Sequence, residues 1–443
     1  MSEAFNREAA TYTTNHPISK GLQAEARKYL PGGSSRGTAY FDPYPFFVDH
    51  AAGHHVYDVD GNRYLDFMIN ATTYIVGHAN PAVVKAVKDQ ADKGLSYSAP
   101  TEAQVRLAKL IVDRVPSVEK VRFTNSGTEG TLNAIRMART HTGRTKFAKF
   151  EGGYHGNHEF VSVSVYTPLS KLDPDRTTAV REWPGQPQSV VDDVIVLPYN
   201  DMDRCEQMIR RHAHELAAVI MEPVASNFGY IPARPEFLKG IRELTEELGI
   251  VLIFDEVQSF RLSQGGAQEI YGVVPDVTTF GKIIGGGLPV GAWGGKDELM
   301  ALYDNENSPA ITHAGTFNAN PPTMVAGEET LKQLTPDVYE RMNLLGDQLR
   351  AKINAVFGEL EMEGQATGIG SLFGLHFTSA QINDYRDMMH GDQDLKTAFY
   401  TGMMNEGVLM FSKAQGALCT LTTEREVDDF VDASRAVLQR LRD

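Results

Sequence analysis

Short strand-like runs recur along the middle of the chain, each closed by turn residues, and the one at 250–254 is wholly apolar and rich in β-branched residues. They occupy 121–123, 146–150, 194–197, 217–221 and 250–254. Runs of this length with no polar alternation predict strands buried on both faces, as in a parallel sheet. Between them lie stretches with helical spacing of apolar positions, at 81–93, 102–114, 201–213 and 235–248. Strands alternating with helices predict βαβ units in a doubly wound, mostly parallel sheet. Residues 56–67 alternate around Asp60-Gly61-Asn62, which is a hairpin signal. From about residue 323 the texture changes to a long helical stretch at 338–357, a strand at 371–377 and a final helix at 424–442. The expected fold class is α/β, with a large doubly wound domain and a smaller α+β domain built from the N- and C-terminal parts. The expected boundaries are an N-terminal arm at 1–55, the large domain at 56–322 and the C-terminal small domain at 323–443.

Four places in this pattern carry candidate chemistry. Asp255 and Glu256 end the 250–254 run, at the carboxyl edge where open α/β sheets place their ligands. Lys282 follows another short strand and is bracketed by Gly281 and Gly285-Gly286-Gly287, the setting of a Schiff-base lysine in a backbone-lined cleft. Ser126, Gly127 and Thr128 stand where a strand turns into a helix, so backbone N–H groups and two hydroxyls meet at a helix N-terminus. The same residues read equally as a capping box, since Glu129 stands three after Ser126. Tyr154 lies on a glycine-rich turn, Gly152-Gly153-Tyr154-His155-Gly156, which presents a ring to a site or buries it under a loop. Taken together, the four match the needs of pyridoxal 5′-phosphate: an anion site for the phosphate, a lysine for the aldehyde, a carboxylate for the pyridine nitrogen and an aromatic face for the ring.

Composition narrows the picture. The chain has 443 residues, 42% hydrophobic and 22% charged, which suits a globular protein of more than one domain. Its net charge of −15 argues against nucleic acid or an anionic membrane as a partner. Cys205 and Cys419 belong to no Cys-x-x-Cys pair and are expected as free thiols in a reducing compartment. With a polar N-terminus and no long apolar run, the cytoplasm is the expected location. His155 and His158 lack a third ligand, so no metal is expected. Gly291 to Lys296 has too short a glycine spacing for a P-loop.

The chain resembles class III, fold-type I PLP-dependent aminotransferases, in the branch shared by glutamate-1-semialdehyde aminomutase and β-amino-acid (β-phenylalanine) aminotransferases. The resemblance rests on Phe123 to Glu129, Gly152 to Gly156, Glu222-Pro223-Val224, Phe254 to Val257, Thr278 to Gly287 and Gly315-Thr316-Phe317, in that order along nearly the whole chain. It implies that Lys282 holds the cofactor as a Schiff base and then shuttles a proton, and that Asp255 pairs with the pyridinium nitrogen. Val257 and Tyr154 would pack on the two ring faces. Ser126, Gly127 and Thr128 would bind the phosphate, with Thr316 joining from the neighbouring subunit of a homodimer. Asn227 or Gln258 would meet the cofactor's 3′-oxygen, and Arg36 would bind a substrate carboxylate. The implied activity is transfer of an amino group from an amine or (β-)amino acid to a 2-oxo acid, and the alternative is the intramolecular transfer of a glutamate-1-semialdehyde 2,1-aminomutase. Intact Lys282 and Asp255 argue against a non-enzymatic scaffold. After Gly315-Thr316 the aminomutases usually carry Ser-Gly-Asn-Pro; here Phe317-Asn318-Ala319-Asn320-Pro321 stands instead, closer to the β-amino-acid enzymes. Gln415 lies near the place where those enzymes can use a C-terminal arginine, with Lys413 the nearest cation.

Overall fold

The computed structural model describes residues 2–307 and 309–442. The chain divides into two compact units, Pro81–Tyr339 with Gln381–Met389, and Met1–Asn80 with Glu340–Ala380 and His390–Asp443.

The larger unit is built on a seven-stranded sheet. Its spatial order is Lys120–Thr124, Gly291–Gly295, Val277–Gly281, Val251–Asp255, Leu216–Met221, Lys146–Phe150 and Val194–Leu197. Gly291–Gly295 is antiparallel to both neighbours, and the remaining strands share one direction. Every position of Leu216–Met221 and of Val251–Asp255 is buried, which explains their unbroken apolar sequences. Alternate residues feed opposite faces. Leu252 and Phe254 pack in one core with Phe237, Leu238 and Ile241. Val251 and Ile253 pack in the other with Ala134, Ile135 and Met137. Each large side chain so buried contributes about 1.5–3 kcal/mol.

The smaller unit holds a four-stranded sheet, Val48–Ala52, His55–Asp58, Arg63–Asp66 and Val408–Leu409, and a three-stranded one, Gln365–Thr367, Leu372–His376 and Gln415–Ala417. The expected hairpin forms, with His55–Asp58 antiparallel to Arg63–Asp66. Just beyond it the backbone is unusual: Ile69, Asn70, Ala71 and Thr72 have φ of 41°, 50°, 55° and 71°. Four successive non-glycine residues in the left-handed region cost on the order of 1–2 kcal/mol each. The turn is held by its own hydrogen bonds, Thr72 N to the Met68 carbonyl at 3.0 Å and Tyr74 N to the Ile69 carbonyl at 3.0 Å. It is also held by Asp66, whose Oδ1 accepts from Met68 N and Ile69 N, both at 2.8 Å.

The units divide differently from the texture-based boundaries. Residues 56–80 fall in the small unit, because Arg63–Asp66 pairs with Val408–Leu409. Residues 323–339 fall in the large unit, where the Pro321–Lys332 helix packs on Pro81–Ala91 and Glu102–Arg114, and 381–389 joins it. The N-terminal arm is more helical than expected, with helices at Glu3–Asn15 and Pro17–Ala26.

The antiparallel strand runs unusually close to the turn at Ser126. A Cβ on Gly291 would lie 1.9 Å from the Ser126 carbonyl oxygen, and one on Gly130 would lie 2.8 Å from the Ala292 carbonyl oxygen. Gly291→Ala is therefore expected to destabilise the chain by about 1–3 kcal/mol or more. Thermal unfolding checks this against Gly185→Ala, whose added methyl meets nothing within 4 Å; equal melting temperatures for the two variants would contradict it.

Candidate active site

Parallel strands bring their carboxyl ends to one edge, and four charged residues line up there on four neighbouring strands. Lys282 follows Val277–Gly281, Asp255 ends Val251–Asp255, Glu222 follows Leu216–Met221, and Glu151 follows Lys146–Phe150. Charges gathered in a low-dielectric edge need partners. Asp255 Oδ1 accepts from Val257 N and from the Thr279 hydroxyl, both at 3.1 Å. Its Oδ2 lies 2.9 Å from His155 Nδ1. Glu222 is buried and accepts from Tyr154 N and Ser226 N, each at 3.2 Å, and from the Ser226 hydroxyl. Burial lifts the Glu222 carboxyl above its ordinary range, and Asp255 adds to the rise while His155 opposes it. Glu151 receives Arg386 through Nε at 2.6 Å and Nη2 at 3.0 Å.

Lys282 itself has φ of 50°, a left-handed conformation for a non-glycine residue. Surrounding protein strips water from its amine and lowers its pKa to about 8, although Asp255 and Glu222 pull the other way. The residue as a whole is half-buried.

Beside this row stands the Gly127–Thr142 helix. Ser126 caps it, accepting from Glu129 N at 3.3 Å, while Glu129 Oε2 accepts from Asn125 N at 2.7 Å. The capping reading is thus seen directly, and it leaves the other first-turn amides of the helix without an intrahelical acceptor, as at any helix N-terminus. Gly127 and Gly281 both face Val257: a Cβ on either would sit 3.0 Å and 3.3 Å, respectively, from its methyl groups. The turn bearing Tyr154 is tied to the same helix. Gly156 has φ of 104° and passes so close to Thr128 that a Cβ would lie 2.6 Å from its Oγ1. That Oγ1 accepts from Asn157 N at 3.2 Å. The Tyr154 ring is partly buried, its hydroxyl donating to Asn157 Oδ1 at 3.2 Å.

The structure thus gathers Ser126, Gly127, Thr128, Tyr154, Asp255, Val257 and Lys282 within one unit. Asn227 and Gln258 sit in different surroundings. Asn227 is buried, and its amide nitrogen donates to the Gly152 carbonyl at 2.9 Å and the Val165 carbonyl at 3.0 Å. Both amide hydrogens are thereby committed to bracing the Tyr154 turn. Gln258 is half-buried immediately after Val257. Thr316 is exposed and lines a cavity of about 520 Å³ with residues 96–101 and 318–321. Its loop is pinned by Asn318, whose Oδ1 accepts from Asn125 Nδ2 at 2.9 Å. Arg36 lies in the other unit, exposed at a separate cavity of about 510 Å³. Sequence reasoning gave His155 and Thr279 no role toward Asp255. A histidine directly after the candidate ring tyrosine was the available signal for the first. Nothing local marks the second, because Thr279 reaches Asp255 through strand pairing.

Comparison with known proteins gives the following similarities. The family model described as aminotransferase class-III matches residues 38–430. A curated relative, glutamate-1-semialdehyde 2,1-aminomutase 2 of Geobacillus kaustophilus (strain HTA426), is 40% identical over 430 residues, 96% of this chain and 98% of the relative. An omega-transaminase from Sphaerobacter thermophilus is 43% identical with a TM-score of 0.92, covering 96% of this chain and 98% of that one. A β-phenylalanine aminotransferase from Variovorax paradoxus is 34% identical with a TM-score of 0.90, covering 99% and 97%.

The depressed amine gives a pH prediction. With a pKa of about 8, roughly one Lys282 amine in ten is neutral at pH 7, against about one in three thousand for an ordinary lysine. Only the neutral amine attacks an aldehyde. The rate at which cofactor-free protein takes up pyridoxal 5′-phosphate, followed by absorbance, should rise with pH through about 8 and then level. A rise continuing to pH 10 would place the amine in the ordinary range instead.

Proposed function

The chain belongs to the class-III aminotransferases, and on that premise we propose that it moves the amino group of a carboxylate-bearing amino acid, with Lys282 as the cofactor-holding and proton-moving residue. The cofactor of this class is pyridoxal 5′-phosphate, which when bound draws electrons from the carbon bearing the amino group and so loosens that carbon's proton.

The observation that carries the reading is a depressed lysine amine next to a braced carboxylate at one sheet edge. Lys282 would hold the aldehyde through Nζ and, once released, use the same atom to take the proton from the amino-bearing carbon. Asp255 would keep the pyridine nitrogen protonated, its orientation fixed by His155, Thr279 and the Val257 amide. Val257 and Tyr154 would hold the ring between them, and Ser126, Gly127 and Thr128 would hold the phosphate at the helix N-terminus. The cradle supports this, because methyl groups at 127 and 281 would crowd Val257 from the space a flat ring needs. Asn227 or Gln258 is proposed to meet the 3′-oxygen; the Asn227 amide nitrogen also donates to the Gly152 and Val165 carbonyls. Thr316, exposed on its loop, is proposed to complete the phosphate site of a second copy in a homodimer. The buried thiols Cys205 and Cys419 suit a reducing compartment such as the cytoplasm.

Two overall reactions share this chemistry. The aminomutase name of the 40%-identical curated relative supports intramolecular 2,1-transfer on glutamate-1-semialdehyde, and among curated relatives that reading is better supported than transfer to a separate 2-oxo acid. Intermolecular transfer stands as the second reading. It draws on the omega-transaminase at 43% identity and on Phe317-Asn318-Ala319-Asn320 after Gly315-Thr316.

Two experiments follow. The holoenzyme is expected to convert glutamate-1-semialdehyde without any added oxo acid. Failure there, with β-phenylalanine or alanine bleaching the visible band and an oxo acid restoring it, would select intermolecular transfer; no reaction with any donor would end both readings. Asp255→Asn should lower kcat by at least about a hundredfold, the scale on which a preorganised charge acts, while Lys282→Ala should abolish the visible band.

A further inference from the structure

Arg36 sits in a loop that the small unit holds in place. Gln23 Nε2 donates to the Gly32 carbonyl at 2.8 Å, and Arg36 N donates to the Ser34 hydroxyl oxygen at 3.1 Å. The Arg36 guanidinium forms no ion pair among the described residues. Its one side-chain partner is neutral: Nη1 donates to Asn70 Oδ1 at 2.7 Å. A guanidinium carries five N–H donors in a planar fork, so most of that fork stays open to a carboxylate.

Asn70 is the second residue of the left-handed turn at 69–72, with φ of 50°. Both β-branched members of the turn, Ile69 and Thr72, are buried, while Asn70 is half-buried on the wall of the same cavity as Arg36. The nearby carboxylate on that wall, Asp66, is already engaged by Met68 N, Ile69 N and His78 Nε2, the last at 2.7 Å. It therefore does not compete for the guanidinium. The rest of the wall is mostly apolar, with Phe41, Phe46, Met68, Tyr74 and Met410 among its members.

A strained turn that survives just beyond the hairpin is over-determined by its surroundings, and here its product is one side-chain oxygen bonded to one arginine. We propose that Asn70 is the positioning residue of the Arg36 clamp: the left-handed turn fixes its oxygen, which fixes the guanidinium over a mostly apolar cavity where it would meet a substrate carboxylate. This rests on the reading of Arg36 as a carboxylate clamp.

Two probes separate the inference from the reading it rests on. They are 3-phenylpropanoate, which has the carboxylate but no amino group to react, and 3-phenylpropan-1-ol, which lacks the charge. Binding of both to the holoenzyme is measured by calorimetry for the parent, Asn70→Gly, Arg36→Ala and the double variant. Glycine tolerates the turn's φ, so N70G removes the oxygen without adding strain, and Asn70→Ala serves if N70G fails to fold. Asn70→Gly should weaken 3-phenylpropanoate about tenfold relative to the alcohol, the scale of one hydrogen bond to a charged group, and should add no further loss in the Arg36→Ala background. If Arg36→Ala abolishes the preference for the carboxylate and Asn70→Gly shifts both probes equally or neither, the inference is overturned while the clamp stands. If Arg36→Ala leaves the preference intact, the clamp reading fails and takes the inference with it.

Discussion

Everything at the candidate site depends on one constraint: four charges must share the dry edge of a parallel sheet. Parallel strands all end on the same side, so the residues after consecutive strands become neighbours whatever their distance in sequence. Lys282, Asp255, Glu222 and Glu151 are brought together in that way. Three carboxylates beside one lysine would be costly if left bare. Each acid is instead braced by donors of a different kind: backbone and hydroxyl for Asp255, backbone and Ser226 for Glu222, and a guanidinium for Glu151. Burial strips water from the lysine, and the pull of Asp255 and Glu222 offsets only part of that. A nucleophilic amine near neutral pH is thus a by-product of burial at this edge.

The same economy runs through the loops. The turn bearing Tyr154 has no strand to hold it, so it borrows rigidity from three sources. Gly156 lets it lie against Thr128, Thr128 accepts from Asn157, and Asn227 spends its amide on Gly152 and Val165. Each link also touches a residue implicated in binding. Removing one would loosen the Tyr154 turn and its hold on the Gly127–Thr142 helix together, which is the expected behaviour of groups in one network.

Much of this was legible from sequence because the large sheet is written in unbroken apolar runs. The 217–221 and 250–254 runs can be little else than buried strands, and a glycine-bracketed lysine after the next strand follows from the same rhythm. The misreadings have physical causes. Glu3–Asn15 is a threonine-rich helix of which Phe5, Glu8 and Tyr12 are buried, and it owes its place to packing on Gln393–Asn405, far away in sequence. Local propensity could not reveal it. Residues 69–72 read as ordinary Ile-Asn-Ala-Thr, with no glycine to announce a left-handed turn; only the backbone shows it. Sequence leaves Asn227 and Gln258 as equal candidates because the choice depends on where their amide hydrogens go, which is a property of the folded loop.

The Arg36 cavity shows how local and global electrostatics part company. A chain of net charge −15 repels carboxylates at long range. At physiological ionic strength that field decays within about 8 Å, so an anion reaching the cavity meets mainly what lines it. There the guanidinium is matched by a neutral amide oxygen, and the acid of the wall is occupied by backbone amides and His78. An ion pair in place of Asn70 would have oriented Arg36 equally well but cancelled its charge. A neutral acceptor orients the arginine and leaves the charge available. That requirement explains why a short amide, the polar side chain that best tolerates a left-handed backbone, stands at the strained position.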